Sequence, residues 1–158
     1  MITTPKDYQS LLYLIQDPNR PTRMIKLPSD EIIYEVDLNT RMVDAPEFLS
    51  VEKDHKAEWI YFKVDRWFDN TDLSTVNCII QYNNADTNLK RKGYIYAPPF
   101  IDIMTYKDEG KIIIPWCIEG PATAYAGKVE FSIKFYKMSS DGTLIYNLNT
   151  LPSISKVL

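Results

Sequence analysis

Hydrophobic and polar positions alternate most regularly near the carboxyl end of the chain, over residues 128–138. Val129, Phe131, Ile133 and Phe135 are apolar, while lysine, glutamate and serine fill the positions between them. This period of two is typical of a β-strand with one face toward the core and one toward water. The pair Asp141-Gly142 follows and supplies the positive φ of a tight turn. It predicts a hairpin into residues 143–147.

Residues 59–67 show the same period with an unusual second face. Ile60, Phe62 and Val64 point one way. The other face carries two indoles and a phenol beside two charged side chains: Trp59, Tyr61, Lys63, Asp65 and Trp67. A strand that is buried on one face normally shows water a polar face on the other. The pattern therefore predicts a surface that something covers.

Eight segments are predicted to be strands, with turn-forming residues between them. They are Glu31–Leu38, Glu47–Val51, Ala57–Trp67, Val76–Tyr82, Gly93–Tyr96, Lys111–Ile118, Lys128–Met138 and Thr143–Asn147. The run Ile112-Ile113-Ile114 indicates a strand buried on both faces. No alternation of strands with helices supports a parallel sheet. The chain is predicted to be mainly β, an antiparallel β-sandwich of jelly-roll or immunoglobulin-like type over residues 31–158.

A short helix is predicted near the amino end of the chain. Thr4 fits the N-cap, Pro5 the first helical position and Asp7 the positive first turn. Apolar residues then recur at helical spacing until Asp17-Pro18 ends the run: Tyr8, Leu11, Leu12 and Ile15. Three prolines make residues 17–30 an extended connector. Residues 1–30 are thus expected to form a helix and an arm, which pack on the body or on a neighbouring subunit.

Composition is that of an ordinary globular protein of one domain. The chain has 158 residues, of which 45% are hydrophobic, and its aromatic content of 13% favours strands. The net charge of −3 argues against nucleic acid as a partner, because phosphates need a basic patch. No apolar run approaches the ~20 residues of a membrane span. No signal peptide is recognisable, so synthesis in a cytoplasm is expected.

Few residues offer catalytic or metal-binding chemistry. His55 is the single histidine and lies in a charged stretch between two predicted strands. Cys78 and Cys117 lie in apolar runs typical of buried free thiols, with a disulfide between them as the alternative. One histidine and two separated cysteines make neither a zinc quartet nor a hydrolytic triad.

Three acidic residues flank the aromatic strand and are the first candidates for a pair of catalytic carboxylates: Asp65, Asp69 and Asp72. Residues 69–72 also have a weak likeness to a calcium loop, but lack its glycine and its bidentate glutamate. Acids in turn positions usually serve the turn itself. We therefore expect no catalytic residue, no metal and no cofactor.

The outward aromatic residues are the remaining functional candidates. Trp and Tyr are frequent anchors of protein–protein contacts, and their flat apolar faces also stack on sugars. They belong to the core instead if a second layer covers that face. The predicted interface combines three residues of the aromatic strand with three of the N-terminal helix: Trp59, Tyr61, Trp67, Tyr8, Leu11 and Leu12.

Six short motifs are distributed along residues 33–158. They are Ile33–Arg41 (IYEVDLNTR), Ala45–Val51 (APEFLSV), Asp54-His55, Ile60–Arg66 (IYFKVDR), Ile114–Ile118 (IPWCI) and Tyr146–Pro152 (YNLNTLP). None of them is catalytic. In these motifs the chain resembles structural proteins of tailed-bacteriophage virions, in the style of the N-terminal anchoring domain of baseplate upper and fibre-anchor proteins.

The resemblance implies a non-enzymatic module that anchors or assembles a phage tail or baseplate, with capsid decoration or head-fibre anchoring as the alternative. The chain would be made in the host cytoplasm and located in the virion. Its partners would be other virion proteins and further copies in a homo-oligomer, without nucleic acid or membrane. A carbohydrate-binding module for glycans of the host surface is the rival class, because the aromatic face could stack on sugars.

Overall fold

The computed structural model of the chain describes residues 22–23, 32–86, 93–99, 101–102 and 110–158. The predicted N-terminal helix, with Tyr8, Leu11 and Leu12, lies outside the described residues. The described part is mainly β, as predicted, and contains one helical turn, α1 (Gly120–Thr123).

Fourteen strands are described. In chain order they are β1 (Thr22–Arg23), β2 (Ile33–Asp37), β3 (Met42–Val43), β4 (Phe48–Ser50), β5 (Trp59–Asp65), β6 (Trp67–Phe68), β7 (Thr71–Asp72), β8 (Asn77–Asn83), β9 (Gly93–Tyr96), β10 (Ile101–Asp102), β11 (Lys111–Cys117), β12 (Gly127–Met138), β13 (Leu144–Asn149) and β14 (Ser153–Val157). All eight predicted segments contain a strand, with shifts at their ends.

The strands form two large sheets and one short hairpin. The first sheet has the order β1-β10-β11-β5-β2-β3. The second sheet has the order β4-β14-β12-β8-β9, and β13 also pairs with β12. β6 and β7 form the separate hairpin. β12 is the longest strand and pairs with β8 on one edge and with β14 and then β13 on the other.

The prediction of a purely antiparallel fold is wrong. β2 pairs with β5 in parallel, and so do β1 with β10 and β4 with β14. Alternation of strands with helices is only one route to parallel neighbours. The chain between β2 and β5 forms β3 in the first sheet and β4 in the second, so β5 returns beside β2 in the same direction without a helix. Both large sheets are therefore mixed.

One hydrophobic cluster draws side chains from both large sheets. In β5 the predicted alternation is confirmed, because Ile60, Phe62 and Val64 are all buried in this cluster. The ring of Phe62 lies 6.4 Å from that of Trp116 and 5.7 Å from that of Phe131, and the last two are 5.2 Å apart. Burying a large apolar side chain contributes about 1.5–3 kcal/mol. These rings therefore join the first sheet firmly to the second.

Burial is not confined to the space between the sheets. Residues 112–114 of β11 are fully buried, which confirms the prediction of a strand covered on both faces. Ile79, Tyr136 and Met138 form a second, smaller cluster. They alternate with residues of the main cluster along β8 and β12, so they lie on the opposite face of the second sheet.

Lys134 is buried on that same face of the second sheet, where the alternation had predicted a solvated side chain. Its ammonium donates hydrogen bonds to the side-chain oxygens of Asn147 and Asn149 on the neighbouring β13. Burial lowers the pKa of Lys134, because the charged form loses hydration. The hydrogen bonds to the two asparagines offset the hydration that the buried ammonium loses.

Candidate interaction site

Five exposed apolar side chains surround one groove between the two large sheets. They are Ile32, Phe48, Val51, Trp59 and Leu158, called the groove residues below. The groove has a volume of about 420 Å³. Single apolar residues are common on protein surfaces, but a group of them around one concavity is typical of a binding surface.

One wall of the groove belongs to the first sheet. Ile32 directly precedes β2, and Trp59 is the first residue of β5. The parallel register places Ile33 beside Tyr61. Because parallel strands begin at the same end of a sheet, Ile32 and Trp59 reach the same end of the first sheet.

The other wall belongs to the second sheet. Phe48 is exposed, whereas Leu49, the next residue of β4, is buried. The backbone N–H of Leu158 donates to the carbonyl of Ser50 at 3.0 Å, and that of Glu52 donates to the carbonyl of Leu158 at 2.7 Å. β4 is the terminal strand of its sheet among the described strands. A terminal strand offers unpaired backbone groups to another polypeptide.

The loop between β4 and β5 joins the two walls, and hydrogen bonds fix it to the segment around α1. The backbone N–H of Lys53 donates to the carbonyl of Thr123, and that of Lys56 to the carbonyl of Ile118, both at 2.9 Å. Lys53 and Lys56 have φ angles of 72° and 58°. This left-handed conformation costs an L-residue roughly 1–2 kcal/mol, and the hydrogen bonds to the α1 segment hold it.

Side chains of the same loop add two further bonds. His55 Nδ1 accepts a hydrogen bond from the backbone N–H of Gly120 at 2.8 Å, so this nitrogen carries no proton. Glu52 Oε2 accepts a hydrogen bond from the backbone N–H of Ala126 at 2.8 Å. His55 thus has a structural partner, and the loop that carries Val51 is preorganised. Preorganisation lowers the entropy cost of binding.

The structure brings together two of the three predicted aromatic residues. The rings of Trp59 and Tyr61 are 6.4 Å apart and 11° from parallel, with Trp59 exposed and Tyr61 half-buried. Trp67 is also exposed but lies elsewhere, because β5 ends at Asp65 and Trp67 belongs to the separate hairpin. It lies eight residues after Trp59, which is about 26 Å along an extended chain. Trp67 is therefore not part of the groove.

Two of the acids that were considered as catalytic or calcium-binding residues, Asp69 and Asp72, belong to the hairpin of β6 and β7. Asp69 and Asn70 have φ angles of 51° and 67°, the two positive values of a two-residue hairpin turn. Arg66 donates two hydrogen bonds to the carboxylate of Asp72, at 3.1 and 3.0 Å. The Asp72 charge is thus neutralised by Arg66. Residues 69–72 form a hairpin closed by an ion pair rather than a calcium loop.

The other side chains that were considered as catalytic or metal-binding groups are either paired with a neighbouring side chain or buried. Asp65 forms an ion pair with Lys111 on β11, and Asp72 forms one with Arg66. Cys78 and Cys117 are free and buried, as predicted. Within the described ranges, no three His, Cys, Asp or Glu side chains are grouped so that they could hold a metal. The candidate site is therefore the groove rather than any of these groups.

Four groove residues were missed by the sequence prediction: Ile32, Phe48, Val51 and Leu158. They come from separate segments, and no hydrophobic period distinguishes them from other apolar residues. Phe48 and Val51 belong to the motif Ala45–Val51, but nothing in that motif indicated a groove. Only the strand pairings bring them together around Trp59, the one groove residue that was predicted.

Comparison with known proteins assigns no role to the groove. No family model matches the chain, and no curated protein matches it. In the part of the chain that the structure describes, no helix is long and apolar enough to cross a membrane.

Proposed function

We propose that this chain is a non-enzymatic structural protein of a bacteriophage virion, and that it binds another virion protein through the groove. The observation that carries the proposal is the group of five exposed apolar side chains around one preorganised concavity. Exposed apolar surface of this kind usually marks a contact site. The resemblance of six motifs to phage structural proteins supports the virion setting.

Trp59 is the expected anchor of the contact. Its ring is large, carries one polar N–H and stacks on Tyr61 at the end of the groove wall. Tryptophans surrounded by near-neutral contacts often dominate an interface, and truncating such an anchor costs about 2 kcal/mol or more. The aliphatic groove residues would exclude water around it.

We further propose that the two large sheets form a β-sandwich of jelly-roll or immunoglobulin-like type, preceded by the predicted N-terminal helix. The shared hydrophobic cluster supports the sandwich, because facing sheets bury their inner side chains between them. Terminal strands are a liability in a monomer but useful in an assembly of many copies. A tail or baseplate position is our first choice, and capsid decoration or head-fibre anchoring is the alternative.

The proposal is tested with the variant Val51→Asp, by measuring how much of the chain is present on purified phage particles. A charge in the groove should reduce the amount of this chain on particles about tenfold or more, measured by immunoblot, since 1.4 kcal/mol changes a binding constant tenfold. Ile145→Asp is the matched control, because Ile145 is similarly exposed (57%, against 51% for Val51) but lies on β13, outside the groove. Trp59→Ala should behave like Val51→Asp, and Trp67→Ala like the control.

Circular dichroism shows whether each variant is folded. If folded Val51→Asp stays on particles in wild-type amounts, the groove is not the attachment site. If wild-type chain is itself not found on particles, the virion setting is wrong.

A second candidate function is binding of glycans on the host surface. The nearly parallel rings of Trp59 and Tyr61 favour it, because flat apolar faces stack on sugar rings. This function predicts that the purified chain is retained on a glycan array and that Trp59→Ala abolishes retention. Attachment to particles would then be unchanged in Trp59→Ala, whereas groove attachment predicts its loss.

A further inference from the structure

We infer that the groove of one copy receives the N-terminal segment, residues 1–21, of a second copy of the chain. The inference rests on the proposed function, because it names a partner for the same groove. It makes the contact homotypic and head to tail: a segment from one copy enters a groove on the next.

The chemistry of the segment matches that of the groove. Residues 11–15 are five consecutive apolar residues, Leu-Leu-Tyr-Leu-Ile, and residues 1–16 carry only one lysine and one aspartate. Among the described residues that line the groove, Glu58 has the only charged side chain. Placing the apolar run against the groove residues would remove both from water, at about 25 cal/mol per Å² of apolar surface. The apolar run itself carries no charge.

The length of the segment that precedes Thr22 allows it to reach the groove of a neighbouring copy. Thr22 lies on β1, the outermost strand of the first sheet, and β2 beside the groove is four strands away in the order β1-β10-β11-β5-β2. At the usual spacing this is about 19 Å. Residues 1–21 span up to about 70 Å when extended, which is enough to reach an adjacent copy.

A contact between two different surfaces repeats from copy to copy. A segment that starts at one edge of the first sheet and binds near the other edge gives a heterologous contact, which closes into a ring or continues as a filament. Both arrangements suit a protein present in many copies on a particle.

The test uses the full chain and two complementary variants in analytical ultracentrifugation. Leu12→Asp damages the segment and leaves the groove intact, whereas Val51→Asp damages the groove and leaves the segment intact. We expect wild type and Ile145→Asp to self-associate and each of the two variants alone to be monomeric. An equimolar mixture of the two should form dimers, because it restores one intact segment and one intact groove.

Several results would overturn the inference. They are a monomeric wild-type chain, self-association of Leu12→Asp, and a mixture that stays monomeric. Loss of the folded circular dichroism spectrum in both Leu11→Asp and Leu12→Asp would also overturn it, because the segment would then stabilise its own copy. If wild type is monomeric while Val51→Asp is still lost from particles, the proposed function holds and the groove binds a different virion protein.

Discussion

Asp72 organises the end of the aromatic strand. Its carboxylate accepts two hydrogen bonds from Arg66, and also bonds from the backbone N–H and the hydroxyl of Ser74 at 3.0 and 2.7 Å. Leu73 between them is fully buried, and its N–H donates to the carbonyl of Arg66 at 2.7 Å. One acid therefore fixes the residue at which β5 ends and the hairpin carrying Trp67 begins.

Asp72→Asn should destabilise the fold. The substitution keeps the size of the side chain but removes the charge that Arg66 binds, which we expect to lower the free energy of unfolding by roughly 1–2 kcal/mol in urea denaturation. Asp69→Asn is the control, because it makes the same change at an exposed turn position with positive φ, which Asn also adopts. Its effect should stay below about 0.5 kcal/mol.

The effect of Asp72→Asn should depend on pH. Burial raises the pKa of Asp72, but the hydrogen bonds from Arg66 and Ser74 outweigh burial, so the pKa lies below its ordinary value. A carboxyl with a depressed pKa stabilises the fold above its unfolded pKa and loses that contribution as the pH falls through its folded pKa. The difference between wild type and variant should thus be full at neutral pH and shrink below about pH 4. An undiminished difference in acid would contradict this account.

At the scale of elements, β12 changes partner halfway along one edge. Its residues 127–131 pair with β14, and residues 134–138 pair with β13. Ile133 lies at the junction, where its N–H donates to Thr150 Oγ1 at 2.8 Å and its carbonyl accepts from the N–H of Thr150 at 2.9 Å. Thr150 is buried between the two partner strands. Its hydroxyl thus satisfies a backbone donor that neither strand reaches.

Thr150→Val tests this junction. Valine keeps the shape of threonine but leaves the Ile133 N–H buried without an acceptor, which should cost about 1–3 kcal/mol in the free energy of unfolding. Hydrogen exchange of the Ile133 amide should become faster at the same time. Thr150→Ser loses a methyl group but keeps the acceptor, so protection of this amide should persist. Equal protection in the valine and serine variants would show that the hydroxyl has no such role.

Elements with a clear local pattern could be predicted, and those that depend on distant groups could not. The alternation in β12 and the turn at Gly142, whose φ is 84°, follow from neighbouring residues. β14 was not predicted, because its buried positions include Ser155. The Ser155 hydroxyl donates to the carbonyl of Pro46, 109 residues away, at 2.6 Å. A serine that is buried because of such a partner looks like a surface residue in the sequence.

At the scale of the whole molecule, the groove depends on the pairings that the sequence did not predict. Trp59 could be selected, because an indole on the second face of an alternating strand is unusual. Ile32 joins it only through the parallel pairing of β2 with β5, and Phe48 only through that of β4 with β14. Because the sheets were expected to be antiparallel, neither wall of the groove was predicted. Local periodicity identified one residue of the site and could not assemble the rest.

The two large sheets are expected to unfold as one unit. Cys78 of the second sheet and Cys117 of the first belong to the same hydrophobic cluster. Both are free and buried, and burial raises the pKa of Cys117, which disfavours its reactive thiolate. Neither sheet can separate without exposing the shared cluster to water, so partial unfolding of one sheet alone should be unfavourable.

Labelling of single thiols in urea tests this cooperativity. Cys78→Ala leaves a reporter in the first sheet, and Cys117→Ala leaves one in the second. In each variant we expect the remaining thiol to react at the urea midpoint that tryptophan fluorescence gives for the same variant, because exposure of either cysteine requires loss of the common core. A thiol that reacts at clearly lower urea would show that its sheet opens alone. Since the groove takes one wall from each sheet, coincident midpoints would mean that the binding surface exists only in the fully folded molecule.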